Sequence, residues 1–492
     1  MPAPEPALIP APDRLDLTAG APFVLGGGTR VLVADEDDAA WAVGEHLAAG
    51  LAAAAVTPHV VTVDDGAPGA IVLALVAAPA GDDAGSAPVP AEAYSVTVDA
   101  ERVRIEAADA VGLFRGVTTL LQLLDGSTLP AGRVVDAPRY AWRGLMVDVT
   151  RHWFGPEILR EVVDLMAAYK LNVLHLHLTD DQGWRLEIAS RPRLTEVSGR
   201  TQVGGEGGGF LTAQDYAELV AYAASRHVTV VPEIDTPGHT NAALHAYGEL
   251  TPSGEPRDVY AGTDVGHSHI SLTEPATRGF LEDVLGEVCT LTPGPYVHMG
   301  GDEVPTLSAE DYRAVVEATA GIIADGGKTP VVWQEAAVAD LPAGALVQLW
   351  DPGMATAGVL AAAARGHDVI LSPAKHVYLD LKYEPGFPLG LDWAGHVDVR
   401  ESYAWDPATY LADLDPARVR GVEAALWTET VTTRDELLTM LLPRLAAVAE
   451  VAWSAQERRS FDSLRERVAA HGPRWAAAGL AYHPSSQVEW AD

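Results

Sequence analysis

Two adjacent carboxylates, Asp302 and Glu303, close the run His298-Met-Gly-Gly-Asp-Glu303. The apolar Tyr296-Val297 leads into it, and the two glycines allow a tight turn. This is the pattern of a buried strand that delivers an acid pair to the rim of a cleft. Carboxyls placed there can split their pKa values, one staying ionised and one holding a proton. Acid/base cleavage of an acetal needs that division. A solvated acidic loop is the plain alternative in a chain with 68 Asp and Glu. The double glycine and the apolar approach favour the cleft.

Other reactive side chains stand at the ends of apolar runs. They are Asp148 and Arg151, Asp180-Asp181, Glu233 with Asp235 and His239, Trp333-Gln334-Glu335, Trp350-Asp351, Tyr378 with Asp380, and Trp427 with Glu429. Taken singly, each tryptophan is better read as core, and Arg151 as the partner of a neighbouring acid. Three tryptophans among carboxylates suggest a sugar pocket, since rings stack on C–H faces while acids hold hydroxyls. His175 and His177 share one strand face, so with Asp180, His239 and Asp302 they could chelate a metal. Inward-packed histidines bonded to acids are the better reading, and no metal or cofactor is expected.

These residues need a frame. Apolar strands are expected at Gly144–Val149, Val173–Leu178, Val228–Ile234, Tyr296–Met299, Pro330–Trp333, Leu346–Trp350, Val369–Leu371 and Val422–Trp427. Helices are expected at Pro156–Tyr169, Ala213–Ser225, Pro275–Val288, Ala309–Ile323, Met354–Arg365 and Arg434–Val451, with a last one at Phe461–His471. Eight strands alternating with helices predict an α/β fold, a (β/α)8 TIM barrel over residues 138–492. The site then belongs at the C-terminal strand ends, and the long segment from Pro373 to Arg420 should carry function. Residues 1–137 predict a small α+β support domain. It has strands at Arg30–Ala34 and Ile71–Val76 and a hairpin from Tyr94 to Glu106. A covering helix follows at Ala110–Leu124, and the loop Gly81–Pro90 is expected to be mobile.

The chain has 492 residues, 48% hydrophobic, and a formal net charge of -35. That charge opposes binding to nucleic acid or to anionic membranes. Cys289 is the only cysteine, so an intrachain disulfide is excluded. No apolar run is long enough to span a membrane. The first six residues lack a basic n-region and an apolar h-region. The expectation is a cytoplasmic protein, or a secreted one whose leader has been removed, as monomer or homodimer.

The motifs together resemble glycoside hydrolase family 20, the β-N-acetylhexosaminidases of the bacterial single-chain exo type. They are Gly144-Leu-Met-Val-Asp-Val-Thr-Arg-His152, His175-Leu-His-Leu-Thr-Asp-Asp-Gln-Gly-Trp-Arg185, Pro232-Glu-Ile-Asp-Thr-Pro-Gly-His239, His298–Glu303 and Trp427-Thr-Glu429. Glu92–Val96 and Gly112–Leu120 resemble the small domain that precedes the family barrel. Val304-Pro305 departs from the family pattern beside the acid pair. The resemblance implies an exo-acting retaining glycosidase that releases terminal β-linked N-acetylglucosamine or N-acetylgalactosamine from carbohydrates such as chitooligosaccharides. It also implies substrate assistance through an oxazolinium ion. Glu303 would be the acid, then base; Asp302 would orient the 2-acetamido group, and Tyr378 would bond its carbonyl oxygen. Arg151, Asp380 and Glu429 would hold hydroxyls. Trp333, Trp350 and Trp427 would line the pocket, and Trp393 would stack on the leaving sugar. Asp180 and His239 would stand behind Glu303 and set its charge. Rival readings are a two-carboxylate glycosidase with Glu335 or Glu233 as nucleophile, a metal-dependent amidohydrolase, and a sugar-binding protein without catalysis.

Overall fold

The structure, a computed structural model, describes residues 6–34, 37–52, 56–64, 66–78, 90–354 and 356–490. Except for Pro90, the loop expected to be mobile lies outside them.

Eight parallel strands close into a barrel. They are β1 Trp142–Asp148, β2 Val173–His177, β3 Thr229–Glu233, β4 Tyr296–His298, β5 Thr329–Trp333, β6 Leu346–Leu349, β7 Asp368–Leu371 and β8 Val419–Leu426. β8 pairs with β1 and removes the last sheet edge. Side chains alternate across each strand. In β2, Leu174 and Leu176 pack outward against the helices, while His175 and His177 point inward, bonded to carboxylates. The interior toward the strand N-termini is an apolar plug that includes Trp142, Val173, Val331 and Leu346. Above it the filling turns ionic.

The helices begin where local chemistry starts them. Pro156 occupies the first turn of Pro156–Ala168, where its missing N–H costs nothing. Thr212 and Asp215 form a reciprocal capping box on Ala213–Ala224. Three expectations need correction. The helix expected over Arg434–Val451 is two, Arg434–Leu441 and Arg444–Trp453. Pro443 lies between them, and its ring and missing N–H prevent a continuous helix. The helix expected from Met354 begins at Ala357. The last helix runs past His471 to Ala477 and contains Pro473, because Trp475 continues its buried face.

Ahead of the barrel stands a seven-stranded mixed sheet. Its order is Arg14–Leu17, Gly132–Asp136, Tyr94–Val98, Arg102–Ala107, Ala70–Leu75, Arg30–Val33, His59–Val61. Two helices supply its core, Ala110–Leu123, capped by Asp109, and Asp38–Ala52. The second was not foreseen, since its alanine-rich text has little apolar periodicity. Buried ion pairs join sheet and barrel: Lys170 to Asp136 at 2.9 Å and Arg143 to Glu92 at 2.6 Å. The Lys170 ammonium also lies 4.5 Å from the Trp453 ring centroid, a cation–π contact in the same seam.

Candidate active site

The acid pair is set by a strained turn. Gly300 has φ +70°, and a Cβ there would overlap Asp235 Oδ1. Gly300 N–H donates to His298 Nδ1 at 3.0 Å, and Gly301 N–H to Asp235 Oδ1 at 3.2 Å. Glu303 itself has φ 52°, and His239 has φ 54°. Left-handed backbone at non-glycine residues is costly and clusters at functional sites. The His239 imidazole faces the pair, with Nε2 3.4 Å from Glu303 Oε2 and 3.6 Å from Asp302 Oδ2. Its Nδ1 lies 3.2 Å from Asp180 Oδ1. Burial opposes charge on His239, but Asp180 and the acid pair hold it protonated well above the usual histidine range.

All ten residues expected to act or to touch ligand directly line one cavity of about 290 Å³. Asp302, Glu303, Trp333 and Trp350 come from the ends of β4, β5 and β6. Tyr378, Asp380 and Trp393 come from the long segment after β7; Trp427 and Glu429 follow β8, and Arg151 follows β1. Trp350 and Tyr378 lie nearly parallel, with an interplanar angle of 15°. Trp393 stands edge-on to both and is 52% exposed, at the mouth. Arg151 packs over Trp427, 4.9 Å from its ring centroid, and pairs with Asp180 at 2.7 Å. Asp180 and His239 do not line the cavity; they lie behind its wall.

The carboxyls at this mouth are short of partners. Burial pushes Asp302 up to about 6; His239 opposes the rise and the charge of Glu303 adds to it. Asp302 Oδ1 and Asp380 Oδ2 find no hydrogen-bond partner among the described residues. Burial, with the charge of Glu429, holds Asp380 well above the usual carboxylate range. Glu335 is pushed up to about 8 by burial and by Asp302. It accepts from the Trp350 indole at 3.1 Å, and its other oxygen has no partner among the described residues. Unsatisfied buried polar atoms are costly and call for an explanation. A ligand that bonds them is one.

Deeper in the barrel two histidines are paired on both nitrogens. His177 contacts Glu233 at 2.5 Å and Asp180 at 2.8 Å. His175 bridges Glu423 at 2.9 Å and Glu233 at 3.1 Å. With carboxylates on both nitrogens, each ring is an imidazolium, which has no lone pair for a metal. This geometry does not fit the amidohydrolase reading. Glu233 also accepts from the Trp333 indole at 2.9 Å and is fully buried, so it is no candidate nucleophile.

Some functional neighbours escaped the sequence reading. Thr263, Val265 and Leu391 complete the cavity. They come from irregular segments without a motif, so nothing flagged them. Tyr312 donates to the Gly301 carbonyl and supports the turn from a helix face that reads as ordinary amphipathic pattern. Gln334 Oε1 accepts from the backbone N–H groups of Trp350 and Asp351, both at 2.9 Å, and so ties β5 to β6. Its place beside Trp333 and Glu335 was the available signal.

A parallel barrel with an acid pair, an arginine and five aromatic rings at its C-terminal mouth defines a barrel hydrolase with a sugar-shaped site. The family description "Glycosyl hydrolase family 20, catalytic domain" matches residues 140–456, and "Glycosyl hydrolase family 20, domain 2" matches residues 5–137. The chain belongs to glycoside hydrolase family 20, and it is an enzyme of the β-N-acetylhexosaminidase type. It is 49% identical to the β-N-acetylhexosaminidase of Cellulomonas fimi, over 99% of this chain and 98% of that one. The GH20 β-N-acetylhexosaminidase of Streptomyces coelicolor superposes with a TM-score of 0.92 at 43% identity, each chain covered to 100%. The Streptomyces plicatus enzyme, in complex with Thio-NAglucal, gives 0.93 at 44% identity, covering 100% of this chain and 99% of that one.

Proposed function

We propose that this enzyme removes one terminal, non-reducing β-linked N-acetylhexosamine at a time, with retention, by substrate assistance. Glu303 donates its proton to the glycosidic oxygen. The bond from that oxygen to the anomeric carbon breaks as the substrate's own acetamido oxygen bonds to that carbon. Asp302 accepts from the acetamido N–H and opposes the positive charge of the oxazolinium ion. Tyr378 donates to the acetamido oxygen and aims it. Glu303, now a carboxylate, takes a proton from the water that opens the ring. The tethered nucleophile acts at high effective molarity. Arg151, Asp380 and Glu429 bond the hydroxyls of the terminal sugar and close the pocket beyond it. Trp333, Trp350 and Trp427 form its walls, and Trp393 offers a face to the leaving sugar.

One observation carries this reading. A single imidazole nitrogen, His239 Nε2, reaches both Asp302 at 3.6 Å and Glu303 at 3.4 Å, so the two carboxyls sit side by side rather than across the cavity from each other. Ordinary retaining glycosidases hold their carboxyls about 5–5.5 Å apart on opposite sides of the bond; family 20 is a substrate-assisted exception. The Streptomyces plicatus relative is seen with its product GlcNAc and with Thio-NAglucal, which fits an N-acetyl sugar in this cavity. The test compares an aryl β-glucoside with the matching β-N-acetylglucosaminide. The first should be nearly inert and the second cleaved with retention. Trapping a 2-fluoro sugar on any carboxylate of the protein overturns the mechanism and favours Glu335 as nucleophile.

A further inference from the structure

A second cavity opens beside the sugar pocket, and no step above uses it. It is an open cleft of about 590 Å³ and shares Val265, Glu303 and Trp350 with the first. Its own walls include Val304, Pro305, Leu307, Tyr312 and Met354. Pro305 has no N–H and packs against Gly266, where an added Cβ would lie 3.3 Å from the proline ring. Val304 and Pro305 therefore present carbon to the cavity and no side-chain donor or acceptor. Among the described residues eight large apolar side chains are exposed, and three of them ring these two mouths: Val265 at 44%, Met354 at 41% and Trp393 at 52%. Scattered exposed apolar residues need no explanation, but a cluster at a cleft marks a ligand surface.

Glu303 decides which part of a ligand would lie there. A general acid sits within hydrogen-bond reach of the oxygen it protonates. Here that is the glycosidic oxygen, which stays with the leaving group. Space that borders Glu303 but lies outside the sugar pocket is therefore on the leaving-group side. The sugar pocket carries Arg151, Asp380 and Glu429 for hydroxyls. The second cavity has none of these; its one further acid, Glu335, accepts from Trp350 with one oxygen and keeps the other without a partner among the described residues.

We propose that this cavity is a leaving-group subsite for an apolar aglycone, an alkyl or aryl chain, distinct from the Trp393 face that takes a sugar. It rests on the acid role proposed for Glu303. The chemistry of the walls makes the distinction. Trp393 offers one ring face, which suits a pyranose, whereas Val304, Leu307 and Met354 offer aliphatic surface along an open cleft, which suits a chain without hydroxyls.

The test uses three β-N-acetylglucosaminides: the methyl glycoside, the n-octyl glycoside and the β-1,4 disaccharide of N-acetylglucosamine. The two alkyl leaving groups have similar basicity, so their ratio reads binding. Octyl should exceed methyl in kcat/KM on the order of tenfold, the usual worth of filling an apolar pocket. The double variant Leu307→Asp/Met354→Asp should bring that ratio toward one while the ratio of disaccharide to methyl is kept. Trp393→Ala should do the reverse. An octyl glycoside no better than methyl, or a preference that survives the double variant, overturns the proposal. Failure to cleave even the methyl glycoside overturns the acid role of Glu303, and the subsite falls with it.

Discussion

Glu233 and Asp302 leave neighbouring strands of one barrel, and both are buried. Their surroundings differ. Glu233 accepts from the Trp333 indole and has three histidines around it; burial opposes its charge, but His177, His298 and His175 hold its carboxyl well below the usual range. Asp302 keeps one oxygen without a partner and rises to about 6. Going up the barrel, paired acids give way to unpaired ones: Glu233 and Asp180 below, Asp302, Asp380 and Glu335 at the mouth. A folded protein tolerates unsatisfied buried groups where function needs them, at a cost in stability. The lower layer orients the upper one. Asp180 meets Arg151, His177 and His239 at once, so one carboxylate positions both the cavity's arginine and the histidine beside Glu303.

The sharpest way to break this comparison is to alter one member of each layer. Glu303→Gln should lower kcat on natural leaving groups by roughly 10²–10⁴ and leave unfolding midpoints nearly unchanged. The loss should shrink for an activated aryl leaving group in the first step. Glu233→Ala should do its damage through stability. It takes one of two carboxylate partners from each of two buried imidazolium ions, and breaking such buried pairs costs about 3–5 kcal/mol, readable by denaturant unfolding. If Glu233→Ala folds as well as the parent, the lower layer is not the scaffold described here.

A milder test leaves the sequence intact. Asp302 has a raised pKa, so its charge is present above about pH 6 and lost as the pH falls through that value. In kcat/KM, which reports the free enzyme, an acid limb should appear there, and in Asp302→Asn it should vanish from what activity remains. The smallest effect is expected at Asp380. Asp380→Asn removes a carboxyl held unwillingly beside Glu429 and should stabilise the unliganded protein by about 1 kcal/mol or less. The same change should raise KM, since a charged acceptor for hydroxyls is gone.

Much of this was legible before any fold was known. The eight barrel strands are short apolar runs, and each lies within about three residues of its expected bounds, because a strand buried on both faces leaves a continuous hydrophobic record. The carboxylates and aromatic residues at their ends were legible for the same reason, since a break in that record marks where the chain reaches the mouth. The break at Pro443 was legible too, though it was passed over in favour of the longer periodic pattern.

Residue types and their order along the chain thus determined the barrel and the acid pair. What only the tertiary structure decided is which acids have partners. Glu233 and Glu335 each stand at the end of an apolar strand and read alike in sequence as candidate nucleophiles. Closing β8 onto β1 and stacking the strands in register puts two histidines against the first, and leaves one oxygen of the second without a partner among the described residues. The second cavity belongs to the same category. Val265, Leu307 and Met354 lie far apart along the chain, in segments without periodicity, and they meet only because strands three, four and six end at one rim. Strand and helix patterns record a residue's own burial, whereas a partner across the barrel leaves no local trace.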